Sequence, residues 1–192
     1  GMPMMIDAVK NYYKQLNVDL EDNDILITTG GSEALLFTCL SILDPYTEVI
    51  IPEPYYPNYT TFVHAAGGVI RALPTNPWEG YRYADRDRIE SLITPNTRAI
   101  LITNPGNPTG VVLSEAEMRM IADIAKKHNL FLICDEVYRE FCYDDKFGVP
   151  TMARFRDIDE NLVIVDSVSK RFSACGARVG CVVTRNTQLQ AA

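Results

Sequence analysis

Lys170 closes the run Ser167-Val168-Ser169-Lys170, directly after the apolar stretch Leu162–Val165. An amine at a strand's carboxyl end is placed to attack an aldehyde once it is neutral, and the neighbouring cations Arg171 and Arg178 disfavour its charge. A lysine taken alone is more often a solvated surface charge. Asp135 closes a second apolar stretch, Leu130–Cys134. Its carboxylate is expected to be partly desolvated and to need a cationic or hydrogen-bonding partner, although it would serve equally as the cap of a following helix. Tyr138, three residues on, shares a side with Asp135 if the chain turns helically there.

A third segment reads as an anion site. Thr28-Thr29-Gly30-Gly31-Ser32-Glu33-Ala34 follows an apolar strand and opens a helix. Its glycines allow a tight turn, and the first free N–H groups of a helix point outward with the positive end of the dipole, which makes a phosphate cradle. The plainer alternative is a Gly-rich turn with Ser32 as the N-cap. The GxGxxG spacing of a dinucleotide site and the GK[ST] ending of a P-loop are both absent here. Asn104-Pro105-Gly106-Asn107-Pro108-Thr109-Gly110 forms a rigid loop that holds the Asn107 amide where it can meet a ligand oxygen. Pro54-Tyr55-Tyr56-Pro57-Asn58-Tyr59 offers an aromatic face for a flat ring, or else a surface or core tyrosine patch. Together these segments supply a phosphate cradle, a stacking face, an amide, a carboxylate, a phenol and an amine. One ligand asks for that set: a phosphorylated pyridine aldehyde.

The elements that must position these groups alternate. Apolar, β-rich runs occur at Ile25–Thr29, Glu48–Ile51, Val69–Leu73, Ala99–Thr103, Phe131–Cys134, Leu162–Val165 and Val179–Thr184. Helical patterns lie at Met4–Leu16, Ser32–Leu43, Tyr59–Ala66, Arg86–Ile93 and Glu115–His128, the last opened by a capping box from Ser114 to Glu117. Short strands that are apolar throughout must be covered on both faces, so the expected fold is α/β, a three-layer sandwich around a mostly parallel seven-stranded sheet. The connection from Leu162–Val165 to Val179–Thr184 is too short for a helical crossover, so the last strand is expected to be antiparallel. In such sheets ligands gather at the carboxyl ends of the strands, where the residues above fall.

Composition excludes other classes. The 192 residues carry a net charge of −7 without a basic stripe, which argues against a nucleic-acid partner. No apolar run approaches the length of a membrane span, and no leader-like segment is recognisable. Five cysteines form no CxxC pair, so buried, reduced thiols and a cytoplasmic location are expected. With only His64 and His128 and no clustered ligands, no metal is expected.

The succession TGGSEA, PYYPNY, NPGNPTG, DEVY and SVSKRFSACGARVG, spread from Ile25 to Thr184, resembles the fold-type I aminotransferases of the aspartate aminotransferase superfamily. The resemblance implies pyridoxal 5'-phosphate as cofactor, amino acid and 2-oxo acid substrates of an aspartate-like kind, and a homodimer. It implies that Lys170 holds the cofactor as a Schiff base and moves the substrate proton, and that Asp135 keeps the pyridine nitrogen protonated. Tyr138 and Asn107 would meet the ring's 3′ oxygen, and Tyr56 would stack on the ring. The backbone of Gly31, Ser32 and Glu33, with Ser167 and Arg178, would hold the phosphate. Family members are about twice this long, so residues 1–192 are expected to form the cofactor-binding large domain, without the N-terminal segment and the C-terminal small domain. Two other readings share these motifs: a lyase or synthase using the same cofactor, and a non-catalytic sensing domain of a transcription regulator.

Overall fold

The computed structural model describes residues 1–144, 148 and 150–192. Its strands are β1 (Ile25–Thr28), β2 (Glu48–Pro52), β3 (Val69–Leu73), β4 (Thr97–Thr103), β5 (Phe131–Asp135), β6 (Leu162–Ser167) and β7 (Gly180–Val183). They form one sheet in the order β1-β7-β6-β5-β4-β2-β3. All neighbouring pairs among β2 to β6 are parallel, and β7 runs antiparallel to both β6 and β1. The expected reversed last strand is therefore present. It lies inside the sheet rather than at its edge, so β1 runs in the same direction as β2 to β6.

The helices are α1 (Pro3–Gln15), α2 (Gly31–Ile42), α3 (Asn58–Ala65), α4 (Arg86–Ser91), α5 (Glu115–Lys127), α6 (Val168–Arg171) and α7 (Thr187–Ala191). Alternation along the strands divides the core in two. Val49, Ile51, Leu101, Ile133, Val163 and Val165 pack with Leu35 of α2 and Tyr59 of α3 on one face. Ile50, Ile100, Ile102, Leu132, Cys134 and Ile164 pack with Tyr13 of α1, Ile89 of α4 and Ile121 of α5 on the other. That is the expected three-layer sandwich, with both sheet faces covered.

Local chemistry sets the boundaries. Ser114 accepts from the Glu117 N–H at 3.3 Å, and Glu117 accepts from the Ser114 N–H at 2.8 Å, completing the capping box of α5. Ser32 is not the N-cap of α2. The helix starts one residue earlier, with Gly30 as cap at φ +81°, a conformation open to glycine but strained for other residues. Two helices escape the sequence patterns, α6 and α7, of four and five residues. Neither is long enough to show a helical period. Cys39, Cys134 and Cys181 are buried as expected, whereas Cys175 is exposed. No helix among the described residues is long and apolar enough to cross a membrane.

Candidate functional site: a cavity at the carboxyl edge of the sheet

A cavity of about 200 Å³ opens where β1, β4, β5 and β6 end. Nine of the ten residues singled out by sequence line it: Gly31, Ser32, Tyr56, Asn107, Asp135, Tyr138, Ser167, Lys170 and Arg178. They come from five separate loops, and the common direction of the strands brings them to one edge. Glu33 is the exception. Its side chain folds back to accept the Thr29 N–H, leaving only its backbone N–H at the start of α2.

One end of the cavity gathers donors of a kind that suits an anion. The first hydrogen bond of α2 runs from the Ala34 N–H to the Gly30 carbonyl, so the N–H groups of Gly31, Ser32 and Glu33 have no carbonyl one turn earlier. Arg178 lies against Gly30 and donates to the Thr29 carbonyl at 3.2 Å. A side chain at Gly30 would collide with that guanidinium. Gly180 of β7 approaches from below: a Cβ there would lie 2.5 Å from the Gly30 carbonyl carbon and 2.7 Å from the Gly31 nitrogen. The Ser167 hydroxyl caps α6, accepting from the Ser169 N–H at 3.1 Å, and donates to the Val179 carbonyl at 3.0 Å.

The other end holds an anion. Asp135 is 5% exposed, and burial raises its pKa to about 6, against the lowering effect of its hydrogen bonds. One carboxylate oxygen accepts the Val137 N–H at 3.2 Å, so the capping role is real but uses only that atom. The other accepts the Tyr59 hydroxyl at 2.7 Å. Among the described residues no cationic side chain pairs with it. A buried carboxylate without a cation at one end and free helix N–H groups at the other suit a ligand that is cationic at one end and anionic at the other. A protonated pyridine carrying a phosphate has that polarity, so the residues fit the cofactor.

Lys170 reaches the cavity from α6, with its Nζ 5.8 Å from the centre of the Tyr138 ring. Arg171 does not crowd it as its place in sequence implies. That guanidinium turns to the opposite sheet face, where it donates to both oxygens of Asp166 at 2.9 and 3.0 Å and lies 3.8 Å over the Tyr12 ring. Tyr56 stands edge-on to Tyr59, with ring centres 5.5 Å apart. Asn107 sits in a loop tied by the Gly106 N–H to the Val111 carbonyl and the Gly110 N–H to the Gly106 carbonyl.

Sequence reasoning passed over several residues that shape the site. Tyr59 stands within the tyrosine-rich motif with no sequence feature to set it apart, and Thr103, which shares its hydroxyl at 2.6 Å, closes an apolar strand. Ser169 hydrogen-bonds the Ser167 hydroxyl at 2.8 Å and lines the cavity. A buried ionic network of Glu136, Arg139 and Asp166 lies behind the site. Its one visible signal is Asp166, a charge directly after the apolar run Leu162–Val165.

Fold and site together define an enzyme class built to hold a phosphorylated aldehyde cofactor. The chain belongs to the aminotransferase class I and II family, whose family model matches residues 1–192 and whose members use pyridoxal phosphate. It is 35% identical over 182 residues to a probable aspartate/prephenate aminotransferase of Thermus aquaticus, covering 94% of this chain and 46% of that one. It is 36% identical to a probable N-succinyldiaminopimelate aminotransferase of Mycobacterium tuberculosis, covering 87% and 42%. The fold superposes on the aspartate aminotransferase of Thermus thermophilus with maleate with a TM-score of 0.91 at 30% identity, covering 100% of this chain and 49% of that one. The chain thus spans about half the length of the relatives it matches.

Proposed function

We propose that this chain is a cofactor-binding large domain that holds pyridoxal phosphate in the cavity at the strand ends. In this reading it serves transfer of an amino group between an aspartate-like α-amino acid and a 2-oxo acid. The observation that carries the proposal is the polarity of one cavity, with free helix N–H groups and Arg178 at one end, the Asp135 carboxylate, without a cationic partner among the described residues, at the other, and the Lys170 amine on its wall. When bound, the group supplies an aldehyde that condenses with amines and a ring that takes up electrons released at the substrate α-carbon.

The chain's own residues supply the rest. Lys170 Nζ would hold the aldehyde and, as a free amine, would carry the proton leaving the substrate α-carbon. The Asp135 carboxylate holds a proton on the pyridine nitrogen, because an opposite charge close by favours the protonated form. Tyr138 and Asn107 would hold the ring's 3′ oxygen, and Tyr56 would stack on the ring; all three line the cavity. The N–H groups of Gly31, Ser32 and Glu33, with Ser167 and Arg178, fix the phosphate. The relatives are aminotransferases that differ in substrate, which supports amino-group transfer; the aspartate-like preference rests on the Thermus proteins. Five free cysteines agree with a reducing, cytoplasmic setting. Exposed Leu26, Phe37 and Leu40, which line a second, larger groove, agree with a homodimer.

The test mixes the chain with pyridoxal phosphate and records the visible absorption band of the bound form. Amino acids are then added singly, aspartate first, and loss of the band is compared with release of the matching 2-oxo acid. Failure to bind would overturn the site. Loss of the band with no matching 2-oxo acid released would overturn the reaction.

A further inference from the structure

Behind the cavity, on the α1 face of the sheet, the Arg139 side chain is fully buried. Its Nε donates to Glu136 Oε2 at 2.8 Å and its Nη1 to Asp166 Oδ2 at 3.0 Å. Its Nη2 also donates to Glu136 Oε2 and to the Tyr13 hydroxyl at 2.8 Å, and its Nη1 reaches the Tyr12 hydroxyl at 3.2 Å. Glu136 is the residue after Asp135, and Asp166 begins the segment that ends at Lys170. Main-chain pairing of β5 with β6 stops here: Asp135 pairs with Val165, and the Glu136 N–H to the Val165 carbonyl at 2.9 Å is the last bond. Arg139 continues the connection where the ladder ends.

Asp166 then passes the constraint forward. Its Oδ1 accepts the Ser167 N–H at 2.7 Å, and both of its oxygens accept from Arg171, the residue after Lys170. The segment bearing the lysine is thus held at both of its ends by one carboxylate. Side chains alternate along a strand, so Asp135 and Ser167 face the cavity while Glu136 and Asp166 face Arg139.

We propose that Arg139 is a positioning residue that fixes the spacing between the Asp135 carboxylate and the Lys170 amine. The inference rests on the cofactor reading above. A rigid aromatic ring whose nitrogen and aldehyde lie on opposite sides can engage both groups only at one separation, so two strand ends free to splay would satisfy one anchor at a time. The planar, five-donor fork of arginine spans Glu136, Asp166, Tyr12 and Tyr13 together, which a lysine ammonium cannot do.

The experiment measures pyridoxal phosphate affinity for four proteins: the parent, Arg139→Lys, Lys170→Ala and the double variant, each checked for folding by thermal melting. A spacing role predicts that Arg139→Lys weakens binding about tenfold when Lys170 is present and less than about twofold when it is alanine, because one anchor leaves no spacing to hold. Equal weakening in both backgrounds would assign Arg139 a general structural role and overturn the inference, as would no weakening in either. If Arg139→Lys does not fold, the charge-balanced pair Glu136→Gln with Arg139→Gln enters the same comparison. A parent that binds no pyridoxal phosphate overturns the cofactor reading and this inference with it. A parent that binds, with variants showing the wrong pattern, overturns only the inference.

Discussion

The Tyr59 hydroxyl, carried on α3, donates to the Asp135 carboxylate at the end of β5 over 2.7 Å. A phenol thus holds the buried anion from a separate element, with Thr103 of β4 completing the contact at 2.6 Å. This bond favours the ionised form of Asp135, while burial opposes it more strongly.

Tyr59→Phe removes the donor without changing the shape of the core. The Asp135 pKa should move further up from about 6. Cofactor binding should weaken by a factor of several, in line with about 1 kcal/mol for one hydrogen bond. Affinity measured across pH should show its rise with Asp135 ionisation displaced to higher pH than in the parent. An unchanged midpoint would deny Tyr59 any influence on the carboxylate.

Asp135 also sets a pH dependence of stability in the cofactor-free chain. Its folded-state pKa of about 6 exceeds the ordinary 3.8, so between those values the folded state holds the proton that the unfolded state releases. Stability from this group is therefore full below 3.8 and declines as pH rises through about 6, by about 3 kcal/mol in all. Asp135→Asn lacks this loss. Urea denaturation of parent and variant at about pH 4 and about pH 7 should show the variant gaining relative stability at the higher pH, while its cofactor affinity there falls.

Lys170→Ala should raise the dissociation constant for pyridoxal phosphate on the order of tenfold or more, leaving binding that depends on the cradle. In the parent, borohydride reduction followed by peptide mapping should place the pyridoxyl group on Lys170. Recovery of the label on a different lysine, or on none, would remove Lys170 from the site.

Gly180→Ala tests the cradle from the far side of β7. The added methyl would meet the Gly30 and Gly31 backbone, which cannot swing aside as the end of a flexible side chain would. The chain should lose about 1–3 kcal/mol by denaturation, as overpacked sites do. Affinity for pyridoxal phosphate should fall with the displaced N–H groups. Normal stability and affinity would show that the two backbones can separate freely.

Much of this protein is decided by residue order alone. Apolar runs such as Leu130–Cys134 and Leu162–Val165 can be satisfied only when covered on both faces, and that condition gives the three layers and the parallel sheet. The short link before β7 gives its reversal. The placing of Lys170, Asp135 and the Gly30-Gly31 turn around one cavity is legible because special residue types stand at strand ends. What tertiary structure decided is which side chains meet across the fold. Sequence places Arg171 beside Lys170, but the backbone of α6 turns it to the opposite face and into Asp166. Nothing local joins Tyr59 to Asp135, 76 residues away, or ties Tyr13 to Arg139, 126 residues away. Those partnerships depend on the order in which strands pack, because a buried polar atom must take its partner from whichever element the fold brings beside it.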